Sequence, residues 1–367
     1  MNILIDKDTL HNVVSLASKF TINKFTTTTH LQGVLIKAEK KELHVVATDL
    51  NLYFHKKIKI KESGMLRVVI EPKTLIEYLS FLPAGKINVE VKNNQFIVIK
   101  DKDRGVFPII EAADFPPLPK TEKEEGQKIN VPFLSKSLSQ VLFAASTDES
   151  RPALTGINFL TQDNELLIVS TDGFRLSLVR KNKEIDIPEI LIPGRFLEEV
   201  LKEAKEEKDV FLHYSEGDKT VLFKVGDTSF YSRLIEGEFP AFEKVVPSET
   251  KTIVLLDREE FLQKIRRVAV FAREYSNIII VEVKKEGVFI SPKTDSGVSG
   301  SSAFQEADVD GEEQKIAFNF RFVYDFLNNS KAKKISMNIL RPDAPVVFKE
   351  DGKKDFIHII MPIRINT

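Results

Sequence analysis

Leu166-Leu167-Ile168-Val169-Ser170-Thr171-Asp172 is an apolar, β-branched run that ends in a hydroxyl and a carboxylate, and the chain repeats it. An earlier copy is Leu43-His44-Val45-Val46-Ala47-Thr48-Asp49, and a later one is Val288-Phe289-Ile290-Ser291-Pro292-Lys293-Thr294-Asp295. Thr48, Thr171 and Thr294 stand 123 residues apart. Around each copy the same order recurs: helix pattern, strands, helix pattern, strands. A fixed period of this length in a 367-residue chain means three copies of one domain, each of ordinary domain size. The predicted boundaries are 1–122, 123–248 and 249–367.

Each copy opens with an amphipathic helix. Leu10, Val13, Val14 and Ala17 fall at i, i+3, i+4, i+7, as do the helical faces of Leu134, Leu138, Val141, Leu142 and Ala145 and of Leu262, Ile265, Ala269 and Ala272. Pro132 marks one start and Asp257 is a predicted N-cap. A second helix follows in each copy. One begins at Glu71-Pro72-Lys73 and buries Leu75, Leu79 and Leu82. The next begins at Pro193-Gly194-Arg195 with Leu197, Val200, Leu201 and Ala204 on its face. Asn319 caps the last, with Val323, Phe326 and Leu327. Alternating strands come after, such as Ile87 to Val91 and Phe96 to Ile99, split by Asn93-Asn94. Helices and many strands per unit predict an α+β domain whose sheet is covered by helices on one face. Phe115-Pro116-Pro117-Leu118-Pro119 and Phe239-Pro240 to Pro247-Ser248-Glu249 read as linkers between copies.

Composition narrows the function. The chain is 42% hydrophobic and 29% charged with net charge −1, an ordinary globular balance rather than a surface that coats nucleic acid. No apolar run reaches the roughly 18 residues of a membrane span, and Met1 to Asp6 reads as a strand, not a signal peptide. Cytoplasmic location is expected. The absence of cysteine excludes disulfides, thiolate metal sites and cysteine nucleophiles.

Catalytic motifs are missing as well. There is no His-Glu-x-x-His, Walker-type or Gly-x-Gly-x-x-Gly sequence. The six histidines, His11, His30, His44, His55, His213 and His358, have no metal-ligand spacing. Asp101 to Ala112 lacks the glycine and the terminal glutamate of a calcium loop. Ser170-Thr171-Asp172-Gly173 reads as a strand end entering a tight turn rather than a nucleophile, because the Thr-Asp pair occurs in all three copies. A hydrolase centred on Thr171, Asp172 and His213 is the enzymatic alternative. No cofactor or metal is expected.

Specific motifs bring in a resemblance. Ser146 to Gly156 (STDESRPALTG), Thr171-Asp172-Gly173-Phe174-Arg175-Leu176, Ile192-Pro193-Gly194-Arg195-Phe196, Gly237-Glu238-Phe239-Pro240, Ile316-Ala317-Phe318-Asn319 and Met361-Pro362-Ile363-Arg364 occur in this order. Together they resemble the bacterial sliding clamps, the β subunits of the replicative DNA polymerase III, over essentially the whole chain. The resemblance implies three DNA-clamp domains per chain. Two chains would form a homodimer, a pseudo-sixfold ring with helices lining the hole and sheets outside. It implies a non-catalytic processivity factor that encircles double-stranded DNA without reading sequence. Its partners would be the polymerase III catalytic subunit, the clamp loader and other replication and repair proteins. The alternative is a ring-shaped interaction scaffold that does not encircle DNA.

The resemblance also implies site residues. A peptide cleft between the second and third domains would involve Leu154, Thr171, Gly173, Phe174, Arg175 and Leu176. From the second linker it takes Pro240, Lys244 and Val245, and from the third domain Asn319, Phe322, Val346, Ile360, Met361, Pro362, Ile363 and Arg364. Phe174 stands where the family usually has His, and Lys244 where Arg is common. The DNA-facing candidates are Lys24, Lys136, Arg195, Lys202, Arg266 and Lys331. The six helical windows sum to a charge of +4 and the remainder to −5, the sign expected for a basic bore. The dimer joint would use Val106, Phe107 and Ile109 of the first domain and Val270 and Phe271 of the third.

Overall fold

The computed structural model describes residues 2–22, 29–61, 65–120, 126–183, 185, 187–274, 276–293 and 300–364. Lys24 and the Thr294-Asp295 pair lie outside the described residues. Six α-helices occur among the described residues: α1 (Lys7–Ala17), α2 (Pro72–Phe81), α3 (Val131–Val141), α4 (Gly194–Glu203), α5 (Arg258–Ala272) and α6 (Phe320–Asn329). They coincide with the six windows expected from periodicity (8–24, 71–82, 132–145, 194–208, 257–274 and 319–334), except that α1 and α3 begin one residue earlier, and most of the apolar stripe residues are buried. Leu10, Val13, Val14 and Ala17 of α1 lie inside, as do Leu75 and Leu79 of α2 and Leu262, Ile265, Ala269 and Ala272 of α5. Local side chains start these helices by accepting first-turn N–H groups. Asp6 accepts from Thr9 (2.9 Å), Asp257 from Glu260 (2.9 Å) and Asn319 from Arg321 (3.1 Å).

The chain forms two compact units, residues 1–131 with 199–234, and 132–198 with 235–367. This division cuts through the middle repeat, because backbone pairing joins each repeat to its neighbour. In the first unit, strand Leu52–Lys59 pairs antiparallel with Thr228–Arg233, setting Tyr53 opposite Tyr231. A run of twelve strands thereby hydrogen-bonds in succession, from Asn2–Asp6 to Gln127–Asn130. In the second unit, strand Arg175–Asn182 pairs with Phe356–Ile360, setting Leu176 opposite Ile359 within a nine-stranded sheet. A further four-stranded sheet there contains Ile278–Lys284 and Gln314–Asn319. These joints occupy strand edges that would otherwise present unpaired N–H and C=O groups.

Helices cover one sheet face: α1 packs on α2 and on strand Glu42–Thr48, and α5 on α6 and on strand Gly287–Pro292. Aromatic side chains bind the first joint, where the rings of Phe20, Phe54 and Phe230 have centroids 5.6–5.8 Å apart. The linkers are more than connectors. Phe115 is buried against Leu35, Val46 and Val69, and Phe242 against Leu167, Leu176 and Ile359. Each linker lays an apolar side chain on the sheet it crosses, which keeps that face out of water. No helix among the described residues is long and apolar enough to cross a membrane.

Candidate partner-binding cleft and family

The Thr171-Asp172-Gly173 sequence is a self-contained turn. Asp172 Oδ1 accepts the N–H groups of Phe174 (2.9 Å) and Arg175 (3.0 Å). Thr171 Oγ1 accepts from Gly173 N–H (3.0 Å) and donates to the Arg175 carbonyl (2.6 Å). Gly173 has φ +91°, a conformation costly for a side chain with a Cβ. The turn thus uses its hydroxyl and carboxylate to reverse the backbone, as expected of side-chain-capped turns. Its product is a correctly placed Arg175 at the head of the joint strand. The third member of the hydrolase alternative, His213, belongs to the other compact unit and packs on Gly126.

Arg175 lies in a row with Ile360 and Val346 across three paired strands. Its guanidinium is largely buried and doubly anchored, Nε to Asp172 (3.0 Å) and one terminal nitrogen to Asp325 of α6 (2.6 Å). It also sits over the Phe322 ring at 4.7 Å and the Phe143 ring at 5.8 Å. Asp325 and Phe143 were not foreseen from sequence. Asp325 follows Phe322 by three residues on α6, so both reach the same guanidinium from one helical face.

The C-terminal segment leaves the ladder beside this arginine. Met361 N–H donates to the Phe174 carbonyl (2.9 Å), Pro362 has no donor, and Ile363 N–H donates to the Ala317 carbonyl (2.8 Å). Ala317 precedes Asn319, the cap of α6, by two residues. Backbone bonds therefore tie the Thr-Asp turn, the start of α6 and the segment at Met361 to one another. The second linker packs on the same sheet through Phe239, Phe242 and Val245. The turn Pro152–Thr155, which carries Leu154, contacts strand Glu165–Thr171, and Gly237 approaches Ala153.

Burial sorts the expected cleft residues. Phe174 (60% exposed), Met361 (37%), Gly173, Pro240, Lys244 and Arg364 present surface. Leu154, Arg175, Val245, Asn319, Phe322, Pro362 and Ile363 are half-buried. Thr171, Leu176, Val346 and Ile360 are buried, the last two fully. Val346 and Ile360 share the row of Arg175 within the sheet, so they support the surface without forming it. His358, two residues along the strand from Ile360, is buried. Its Nδ1 lies 2.7 Å from Ser177 Oγ, and its ring stacks on Phe326 at 5.3 Å. Burial, then the charge of Arg175, holds the His358 imidazole neutral well below its ordinary pKa.

The expected dimer-joint residues divide in the same way. Val106 and Val270 are exposed, and Ile109 and Phe271 are partly so. Phe107 is a correction: its ring is buried against Tyr78 (centroids 5.5 Å) and Phe96 (6.4 Å). Neighbours on a strand face opposite ways, so an exposed Val106 requires an inward Phe107.

Among the expected DNA-facing cations, Arg195, Lys202, Arg266 and Lys331 are exposed on or just beyond α4, α5 and α6. Lys136 on α3 lies 4.0 Å from Asp355. Arg266 stacks over Tyr324 at 5.6 Å. Lys202 is bound to Glu199 (2.7 Å), whose other oxygen holds Lys19 (2.7 Å), a contact not foreseen. Burial opposes the Glu199 charge, yet the two ammonium groups outweigh it and keep the carboxyl below its ordinary range.

Comparisons with known proteins agree along the whole chain. Models of the DNA polymerase III beta subunit match in tandem: the N-terminal domain over residues 1–119, the central domain over 128–241 and the C-terminal domain over 243–364. The beta sliding clamp of Bacillus subtilis (strain 168) is 29% identical over 384 aligned positions, spanning 99% of this chain and 100% of that protein. The beta sliding clamp of Staphylococcus aureus (strain Mu50 / ATCC 700699) is 28% identical over 362 positions, 94% of each. Among solved structures, the DNA polymerase sliding clamp from Bacillus subtilis superposes with a TM-score of 0.90 at 27% identity, covering 100% of both chains. The beta subunit from Thermotoga maritima gives 0.91 at 23% identity, again over 100% of both. The chain consists of three β-clamp domains and belongs to the family of bacterial DNA polymerase III beta subunits, the sliding clamps.

Proposed function

We propose that this protein acts as a cytoplasmic, non-catalytic homodimeric ring that encircles duplex DNA and tethers the replicative polymerase to it. The observation that carries the reading is the way the repeats are joined. Backbone pairing crosses from repeat to repeat in both units, and strand Asp103–Ile110, paired with Gln95–Lys100 on one side but on the other only at Ile109 and Ile110, leaves an edge beside exposed Val106 that suits the same kind of join to a second chain. A ring of this kind holds DNA by topology, so its contacts stay weak and sequence-independent. Lys136, Arg195, Lys202, Arg266 and Lys331 are the described cations that would meet phosphates on this reading. The clamp loader opens and closes the ring, and polymerase, loader and repair proteins dock by a short apolar peptide on the surface of Phe174, Pro240, Lys244 and Met361. Arg175 holds that surface in shape while its charge is shared by Asp172 and Asp325. A first domain at 1–122, a second at 123–248 and a third at 249–367 is the division that suits the ring.

The test is retention. Protein placed on a nicked circular plasmid by a clamp loader and ATP is separated from free protein, and the plasmid is then cut. Release on cutting is the expected result. Equal loss from circular and linear DNA would favour a scaffold that never encircles DNA.

A further inference from the structure

The joint between the first and second repeats, inside the first unit, reproduces the backbone of the joint that carries the cleft. Thr48 Oγ1 accepts from Leu50 N–H (2.8 Å) and Asp49 Oδ1 from Leu52 N–H (2.7 Å), as Thr171 and Asp172 do one period later. Arg233 N–H donates to the Asn51 carbonyl (2.8 Å), the counterpart of Met361 to Phe174. Leu118 of the first linker packs on Tyr53, Leu222 and Tyr231, where Phe242 of the second packs on Leu176 and Ile359. By position, Lys120 and Arg233 are therefore the counterparts of Lys244 and Met361.

The side chains differ, and they enclose a cavity of about 260 Å³ lined by Tyr53, Leu118, Lys120, Asp218, Tyr231 and Arg233, with prolines of the linker beside them. Its size is below the roughly 300–1,000 Å³ of sites that swallow a whole small molecule; it suits one or two side chains. The edges of Tyr53 and Tyr231, each 8% exposed, and the linker supply the apolar lining of this slot, and Asp218, Thr220 and Ser232 lie among its polar lining. Neither Lys120 nor Arg233 has an ion-pair partner among the described residues, while the Asp218 carboxylate lies 3.5 Å from the Ser215 hydroxyl. The unbalanced positive charge at the rim favours an anionic neighbour to whatever fills the slot.

We propose that this cavity is a second peptide-docking site, which takes an extended segment of a partner protein with an aromatic side chain flanked by carboxylates. The aromatic group packs on the accessible edges of Tyr53 and Tyr231 beside Leu118, and the carboxylates meet Lys120 and Arg233. The inference rests on the peptide-docking reading of the later joint, but its test does not depend on DNA or on that cleft.

Full-length protein labelled with 3-fluorotyrosine is titrated with the peptide acetyl-Gly-Glu-Phe-Glu-Gly-amide and observed by fluorine NMR, signals being assigned by Tyr→Phe variants. The Tyr53 and Tyr231 signals should shift while those of Tyr78 and Tyr214 stay. Arg233→Glu, and independently Lys120→Glu, should weaken binding about tenfold or more, and removal of residues 361–367 should leave it unchanged. Absence of any shift up to about 5 mM peptide overturns the proposal. So does an equal response to the peptide with Lys in place of Glu. Binding lost on removing 361–367 but kept in Arg233→Glu places the peptide in the later cleft, which overturns this site and leaves that one standing. Dependence of the Tyr53 signal on protein concentration without peptide assigns the groove to a second copy, and also overturns it.

Discussion

Leu50 and Gly173 occupy the same backbone position one repeat apart, and both are left-handed, with φ +75° and +91°. The Thr-Asp turn imposes that conformation through its two side-chain bonds, whatever residue fills it. Nothing crowds the missing Cβ of Gly173, whose nearest neighbour would be the Arg151 guanidinium at 4.0 Å. Gly173→Ala should therefore cost about 1–2 kcal/mol from backbone strain alone. Leu50→Gly should fall within about 0.5 kcal/mol of the parent, because relief of strain is offset by the freer unfolded chain. Urea unfolding of both variants decides. A neutral Gly173→Ala would mean that the turn relaxes.

The histidine pair of the first unit is one source of acid sensitivity, beside the buried His358 of the second. His44 Nδ1 and His55 Nε2 are 2.9 Å apart, with rings stacked at 5.2 Å. Burial, then His44 and Lys57, push His55 down from 6.5 to about 4, and burial moves His44 in the same direction. The unfolded chain takes up the His55 proton near pH 6.5, the folded chain only near 4. Stability from this group is thus complete above pH 6.5 and is lost as the pH falls toward 4. The loss is on the order of 2 kcal/mol after allowance for solvent access. The second repeat has Leu178 at the corresponding position, so His55→Leu is the natural comparison. Urea midpoints at pH 7.5 and 4.5 should converge for the variant relative to the parent. Parallel pH dependence in the two proteins would remove the assignment.

The helices and the Thr-Asp turns were legible because their causes are local. A 3.6-residue apolar stripe and a capping Asp257 or Asn319 act within a few residues of themselves. The joints were legible only through the repeat and the family motifs. What escaped was the long-range partner set. Asp325 reaches Arg175 across 150 residues of chain and Lys19 reaches Glu199 across 180, and no sequence period links them. The inward turn of Phe107 was different, since strand alternation alone forbids Val106 and Phe107 from sharing one face.

Phe107 and Val270 should therefore separate stability from assembly. Phe107→Ala removes a ring packed between Tyr78 and Phe96 and should cost about 3–5 kcal/mol of stability. Val270 is 57% exposed, so Val270→Asp should leave the melting temperature nearly unchanged while shifting the protein toward monomer. Sedimentation at micromolar concentration, run beside thermal melts, tests both. An intact dimer for Val270→Asp combined with Val106→Asp would place the joint elsewhere.

Arg175 should behave as a structural ion more than as a surface charge. The equivalent residue of the first repeat is the buried Leu52, so leucine fits the backbone. Arg175→Leu nevertheless leaves Asp172 and Asp325 without their shared cation. The expected cost is about 2–3 kcal/mol, below that of a fully buried pair because Asp325 is partly solvated. Arg175→Leu combined with Asp325→Leu should recover part of it. Additive losses in a double-mutant cycle would show that the pair is uncoupled.

Removal of Met361 to Thr367 tests the cleft directly. The Met361–Phe174 and Ile363–Ala317 backbone bonds are lost with it, a cost of about 1–3 kcal/mol in a chain whose sheet core ends at the buried Ile360. The fold should survive, and so should the dimer, since Val106 and Val270 are untouched. Binding of a fluorescent polymerase-derived peptide with an apolar tail should disappear, because Met361 supplies an adaptable apolar wall beside Phe174. The milder Met361→Lys keeps both backbone bonds and should still weaken the peptide about tenfold or more by placing a charge in that wall. Fluorescence anisotropy with sedimentation of the same samples separates the outcomes. A folded, dimeric truncation that binds the peptide with undiminished affinity would show that polymerase docks on another surface.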